Sequence, residues 1–237
     1  MDGKELQHQY EAGERNFSGL KLLEIELLQL DFSDADFSHA DLRQARLGRT
    51  HFCRANFANS DLSESILWGS DLREANLTRA QLREVDLSGA ILANATLANA
   101  NLVKASLCGV NLSHANLSAA CLLEVDLRPT ADQRTDLGQA NLSQADLSYG
   151  LLSGTILRGA NLSGAKLCRA KLGRDYRPGG FPTDLAEANL QGADLSYADL
   201  SGVNLKAADL RGADLTGTLL HQANLHQALM PDGLPHE

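Results

Sequence analysis

The sequence predicts an all-β solenoid, a chain that turns a corner every five residues and stacks coil upon coil. Three observations predict it. From Phe17 to Leu127 every fifth residue is Leu or Phe, 23 positions in a row, and the series resumes at Leu137 for eight more and at Leu185 for nine. Two residues before each centre stands a small or apolar residue, as at Ala35, Ala40, Ala45, Thr50, Ala55, Ser60 and Ser65. The position just before the centre is most often Asp or Asn, and the one just after is often Ser, Thr or Arg. A period of five fits neither an amphipathic helix at 3.6 nor a simple strand at 2.

Each unit would point its large and its small side chain inward and leave three positions to water. One coil side cannot stand alone, because ordering five backbones costs roughly 5–10 kcal/mol. Burying one Leu returns only about 1.5–3 kcal/mol. Stacking supplies the remainder, through coil-to-coil backbone hydrogen bonds and a continuous Leu/Phe column. The phrase A(D/N)LXX, as in ANLTR, ADLRG and ANLSG, resembles the pentapeptide-repeat family, and its 40 copies span about nine-tenths of the chain. That resemblance implies a right-handed quadrilateral β-helix with four units per coil, about ten coils and a rod about 50 Å long at the usual strand spacing.

The open ends of such a coil need covering. Asp2 with Glu5 resembles a helix capping box, and Leu6 and Tyr10 lie one helical turn apart. Leu20, Ile25 and Leu30 replace the usual Ala beneath that helix. The expected layout is a helical cap over 1–16, the repeat over 17–229 and a tail over 230–237. The tail, MPDGLPHE, offers Met230 and Leu234 but no helix.

All five prolines lie outside the regular units or at their edges. They mark two interruptions, RPTADQRTD at 128–136, with Asp132 where a Leu belongs, and a second from Gly173 to about Pro182. If each interruption is a loop bulging from a corner, both leave the same corner two coils apart, about 10 Å along the rod. That counting also places Asn16, Asp36, Asn56, Asn76, Asn116, Asn141, Asn161, Asn189 and Asp209 on one face. The face leading into the loops carries Arg46, Arg49, Trp68, Arg128, Lys171 and Arg174. Irregular loops on rigid scaffolds commonly carry recognition, and an exposed Trp with Arg and Tyr nearby has the composition of an interface hot spot. The candidate partner-binding residues are therefore Trp68, Arg49, Arg128, Asp132, Arg134, Arg174, Asp175, Tyr176, Arg177 and Phe181. The plainer alternative for Trp68 is that it covers neighbouring Leu side chains.

Chemistry is not expected. The four cysteines, Cys53, Cys108, Cys121 and Cys168, form no CxxC pair, and His51 with Cys53 lacks a third ligand. GRDYRPGG is rich in glycine but lacks the GK[ST] ending of a phosphate loop. No cofactor, metal or enzymatic activity is anticipated. The polar N-terminus and the absence of any long apolar run point to a cytoplasmic protein without membrane contact. A net charge of −9 disfavours direct nucleic-acid binding, and the cap leans toward a monomer.

Three functions stay open. The stretches EAGERNF, ASLCG, LRPTADQRTDLG and LMPDG resemble a cyanobacterial regulator of heterocyst differentiation within the family. That resemblance implies a protein partner in the patterning pathway and opposition to the inhibitory signal acting on HetR. A second reading, by likeness to the quinolone-resistance members, is a DNA mimic that binds DNA gyrase. About 50 Å of duplex carries roughly 30 phosphates, far more than the net charge here, and the tail does not resemble the C-terminal helix that joins those mimics as dimers. The third is a structural spacer.

Overall fold

The structure is a computed structural model that describes residues 2–174 and 180–237. Gly3–Glu11 form helix α1. Asp2 is its N-cap, and the Asp2 carboxylate accepts the Glu5 backbone N–H at 2.9 Å. Leu6 is fully buried, the Tyr10 ring packs edge-on 5.0 Å from Phe32, and the Tyr10 hydroxyl donates to the Ser33 carbonyl at 2.9 Å. Leu20, Ile25 and Leu30 join the same core cluster. Gly3 permits this close approach, since a Cβ there would lie 2.5 Å from the Glu26 carbonyl oxygen.

From Asn16 onward the coils repeat one bonding scheme. The N–H of a centre donates to the next coil, as Phe17 to the Asp36 carbonyl at 2.7 Å, and Asp36 donates back to the Arg15 carbonyl at 2.7 Å. Parallel bridges therefore join residues twenty apart, Asn16 to Asp36 to Asn56 and onward. A coil takes four units, and the four bridge columns define four faces. We number them by their first bridged residue: face 1 from Asn16, face 2 from Lys21, face 3 from Glu26 and face 4 from Asp31.

Corners carry the conformational cost. The second residue after a centre takes φ near +60°, as at Glu24, His39 and Tyr149. The left-handed region costs a non-glycine residue about 1–2 kcal/mol, yet 27 such residues among those described adopt it. Two bonds hold each corner. Glu24 donates to the Arg43 carbonyl of the next coil at 2.9 Å, and Ile25 donates back to Leu22 at 3.1 Å.

The preference for Asp or Asn before the centre has a local cause as well. Its side-chain oxygen accepts the N–H two residues on, as Asp31 from Ser33 at 2.9 Å and Asn141 from Ser143 at 3.1 Å. In each DLR triplet, the guanidinium closes onto the carboxylate across the centre. Arg43–Asp41, Arg73–Asp71, Arg128–Asp126 and Arg211–Asp209 all form this pair. Along face 1 the amides also bond from coil to coil, Asn56 to Asp36 at 2.9 Å, Asn76 to Asn56 at 3.0 Å and Asn161 to Asn141 at 3.2 Å. The column expected from the same-corner counting is thus a real ladder.

Inside, the Leu and Phe centres are buried from Phe17 to Leu210. Phe17, Phe37 and Phe57 stack at 5.3 Å spacings in the first coils, and Phe32 over Phe52 forms a second stack. At the other end the tail folds back on face 1. Met230 donates to the Leu234 carbonyl at 2.9 Å and His236 to the Ala228 carbonyl at 2.8 Å, with Pro235 opposite Leu229 in an antiparallel bridge. A proline fits there because that position gives the ladder no N–H.

Both interruptions sit in the turn from face 3 to face 4. The bridges that span them lengthen in every column, first on face 4, to 25 residues at Asn111–Asp136 and to 28 at Ile156–Asp184, and return to twenty between and beyond the loops. One uninterrupted coil, with Gly154 at its corner, lies between them.

Candidate interaction face

Face 3 gathers what the sequence singled out. Its bridge column passes through Arg46, Ile66, Asp126, Leu151 and Lys171, and Trp68 and Arg128 follow their centres on the same side. Trp68 is 40% exposed. Its indole lies on Gly48, where a Cβ would come 2.9 Å from Nε1, and the Arg49 guanidinium sits 4.5 Å above the ring. Trp68 therefore covers a glycine and stacks with an arginine. Ile66, on the same unit, is also exposed.

The loops are built by a shared device. Each ends in Thr-Asp-Leu, and the buried threonine bonds to the corner glycine of the coil before. Gly109 N–H donates to Thr135 Oγ1 at 2.8 Å, and Gly154 N–H donates to Thr183 Oγ1 at 2.9 Å. Thr183 in turn donates to the Leu172 carbonyl at 2.6 Å. Arg134 ties the loops together. It donates to the Gly154 carbonyl at 3.0 Å and to the Pro182 carbonyl at 2.9 Å, and its guanidinium lies 4.8 Å from the Phe181 ring centre. Burial pushes its pKa below the usual arginine value.

Arg134 is thus a clasp turned inward, whereas Phe181 and Asp132 are exposed on its outer side. Arg128 pairs with Asp126 at 2.7 Å. Arg174 is exposed, with its aliphatic stem over Gly202. Asp175, Tyr176 and Arg177 lie outside the described residues. The structure therefore brings Arg134 and Phe181 together beside Gly154, while Arg128 lies on Asp126 and Arg174 over Gly202. Trp68 stands on the same face three coils from Arg128, about 14 Å, beyond the small residues Ser88 and Cys108, and Arg49 lies one coil further.

One group escaped the sequence reading. At the corner between faces 2 and 3, Tyr149, Arg169 and Tyr197 follow one another in successive coils, with the Arg169 guanidinium 5.3 Å from the Tyr197 ring centre. Their signal was tyrosine at the corner position, which occurs only at these two units. Of four arginine-over-ring contacts among the described residues, three border face 3.

On face 4, His51 faces Asp71 at 3.9 Å and Arg73 pairs with Asp71 at 2.6 Å. Burial raises the Cys53 thiol pKa, and no group of three potential metal ligands converges among the described residues. Among the same residues, no helix is long and apolar enough to cross a membrane.

The profile described as pentapeptide repeats matches in eight copies, over 16–128, 135–174 and 183–230, leaving out the two loops. The chain belongs to the pentapeptide-repeat family. This pentapeptide-repeat protein is 54% identical, over 100% of both chains and with a TM-score of 0.98, to HetL, a pentapeptide repeat protein involved in heterocyst differentiation regulation from the cyanobacterium Nostoc sp. strain PCC 7120. It is 31% identical to a pentapeptide repeat protein of the Arabidopsis thaliana thylakoid lumen, over 41% of this chain and 68% of that one, at TM-score 0.41. QnrB1, a plasmid-mediated fluoroquinolone resistance protein, shares 18% identity over 84% of this chain and 89% of its own, at TM-score 0.39. No curated protein matches.

Proposed function

We propose that this protein is a non-enzymatic recognition rod acting as a positive regulator of heterocyst differentiation. In this reading it binds a protein of the patterning pathway through face 3 and the paired loops, and so counters the inhibitory signal acting on HetR. The full-length likeness to HetL is the observation that carries this reading. The clasped loops and the arginine–aromatic contacts around face 3 support the choice of surface. The same reading has a right-handed, quadrilateral rod of about ten coils, divided into a cap over 1–16, a solenoid over 17–229 and a tail over 230–237. The protein works as a cytoplasmic monomer.

The loops can be removed without disturbing the phase. Deleting 175–182 leaves Leu172-Gly-Arg-Thr-Asp-Leu, and deleting 130–134 leaves Leu127-Arg-Pro-Thr-Asp-Leu, each a five-residue step. The test is heterocyst frequency in nitrogen-starved filaments of a heterocyst-forming cyanobacterium expressing either the intact chain or the double deletion. The intact chain is expected to raise the frequency and the deletion to lose that effect. An unchanged frequency with the intact chain overturns the regulatory role, and full activity of the deletion moves the binding site off the loops.

A further inference from the structure

We propose that the corner between faces 2 and 3 is a docking groove for an extended, acidic segment of a partner protein. A carboxylate of that segment sits between Arg169 and Lys171, and a neighbouring apolar side chain rests on Leu151 and Tyr149. The inference rests on the reading of face 3 as the interaction face and adds the chemistry that the partner must bring.

An open groove of about 400 Å³ runs along this corner, lined by Glu124, Tyr149, Leu151, Arg169 and Lys171. It arises from the corner geometry. A side chain at a corner in the left-handed conformation stands out from the edge of the rod, and most corners carry Gly, Gln, Asn or Glu. Here Tyr149 and Arg169, with Tyr197 beyond, rise as a wall beside the shallow floor of Leu151 and Lys171. The Tyr197 ring lies over Gly217, where a Cβ would meet the ring at 2.7 Å, so the end of the wall is seated. Tyr149 is 52% exposed, an aromatic surface that gains from being covered.

The charge of the groove selects the partner. Eight arginines of the described chain are matched with carboxylates in ion pairs. Arg169 is in none of these pairs; its guanidinium lies over the Tyr197 ring, and neither Arg169 nor Lys171 has an ion pair among the described residues. Over its bridge, post-centre and corner positions, face 3 carries five cations (Arg46, Arg49, Arg128, Lys171 and Arg174) against four carboxylates (Glu26, Asp86, Asp126 and Asp199), in a chain of net charge −9. Two adjacent unmatched cations over an apolar floor attract a carboxylate carried next to an apolar side chain. Glu124 closes the opposite end and repels a second carboxylate there, which sets the direction of the segment. A nucleic acid does not suit the site, since its phosphate row needs many cations and meets acidic faces on either side.

The experiment pans a random peptide library on the full chain, then measures binding of the enriched peptides by fluorescence anisotropy. Comparison proteins are Arg169→Glu with Lys171→Glu, Tyr149→Ala, the 175–182 deletion, and Lys206→Ala on face 4 as control. All the substituted side chains are exposed, and circular dichroism checks the fold of each variant. Enriched peptides are expected to carry Asp or Glu beside an apolar residue. The double charge reversal should weaken them by about tenfold or more, Tyr149→Ala should also weaken them, and Lys206→Ala should leave them unchanged. Peptides lacking an acid, or no enrichment, overturn the groove. Binding lost in the loop deletion but intact in the groove variants overturns the groove while leaving the face 3 reading standing. Binding untouched by either set removes both.

Discussion

Thr183→Val tests how the solenoid tolerates its larger interruption. Thr183 is fully buried, accepts the Gly154 N–H at 2.9 Å and donates to the Leu172 carbonyl at 2.6 Å. Valine preserves the volume, so no cavity opens; what remains is a buried N–H and a carbonyl deprived of their partner. Leaving a buried polar group unsatisfied costs about 1–3 kcal/mol. Taking about 2 kcal/mol, opening around the loop becomes about 30-fold more frequent. Units in a solenoid contact only their neighbours, so the effect should stay local. Amide hydrogen exchange reads it directly. Gly154 should lose protection, while Asn56, many coils away, should not. Thr155→Val is the matched control, because its buried hydroxyl only donates, to the Leu152 carbonyl at 2.7 Å, and leaves no N–H orphaned. Unchanged protection at Gly154 in Thr183→Val would refute the account of the Thr-Asp-Leu closure.

Three further outcomes are expected. Gly48→Ala should drive the indole off the face, since the new methyl would lie 2.9 Å from Trp68 Nε1; a red shift in tryptophan emission checks this, and an unshifted spectrum contradicts it. Asp71 gives a pH dependence. Burial acts to raise its carboxyl pKa, but hydrogen bonds from Arg73 and Cys53 outweigh that and lower it to about 2. Its contribution is complete above the unfolded value of about 3.9 and is lost as pH falls through the folded one, so Asp71→Asn should flatten the fall in urea midpoint between about pH 4 and 2. Deleting 130–134 together with 175–182 should leave the far-ultraviolet dichroism and thermal midpoint at or above those of the intact chain, because every coil-to-coil bond of the regular units survives; cooperative unfolding at a much lower temperature would show that the loops brace the rod.

The five-residue phrase by itself determined a stacked solenoid, because a period of five fits neither a helix nor a strand and one unit buries too little to stand alone. Counting the interruptions as loops bulging from a corner also put both on the same corner, and the bonded Asn ladder of face 1 bears that counting out. Tertiary structure alone decided the rest. Arg134 reads as one more loop arginine until Pro182 and Gly154 are brought beside it by the stacking of coils 20 or more residues apart. Trp68 reads as a lone exposed ring until Gly48, one coil earlier, is found beneath it. Tyr149, Arg169 and Tyr197 are scattered through 49 residues of sequence and form a wall only because a corner repeats at one spacing along the rod. A solenoid writes its core in adjacent residues and its surface across coils, so the pattern along the chain reveals the first and the folded rod the second.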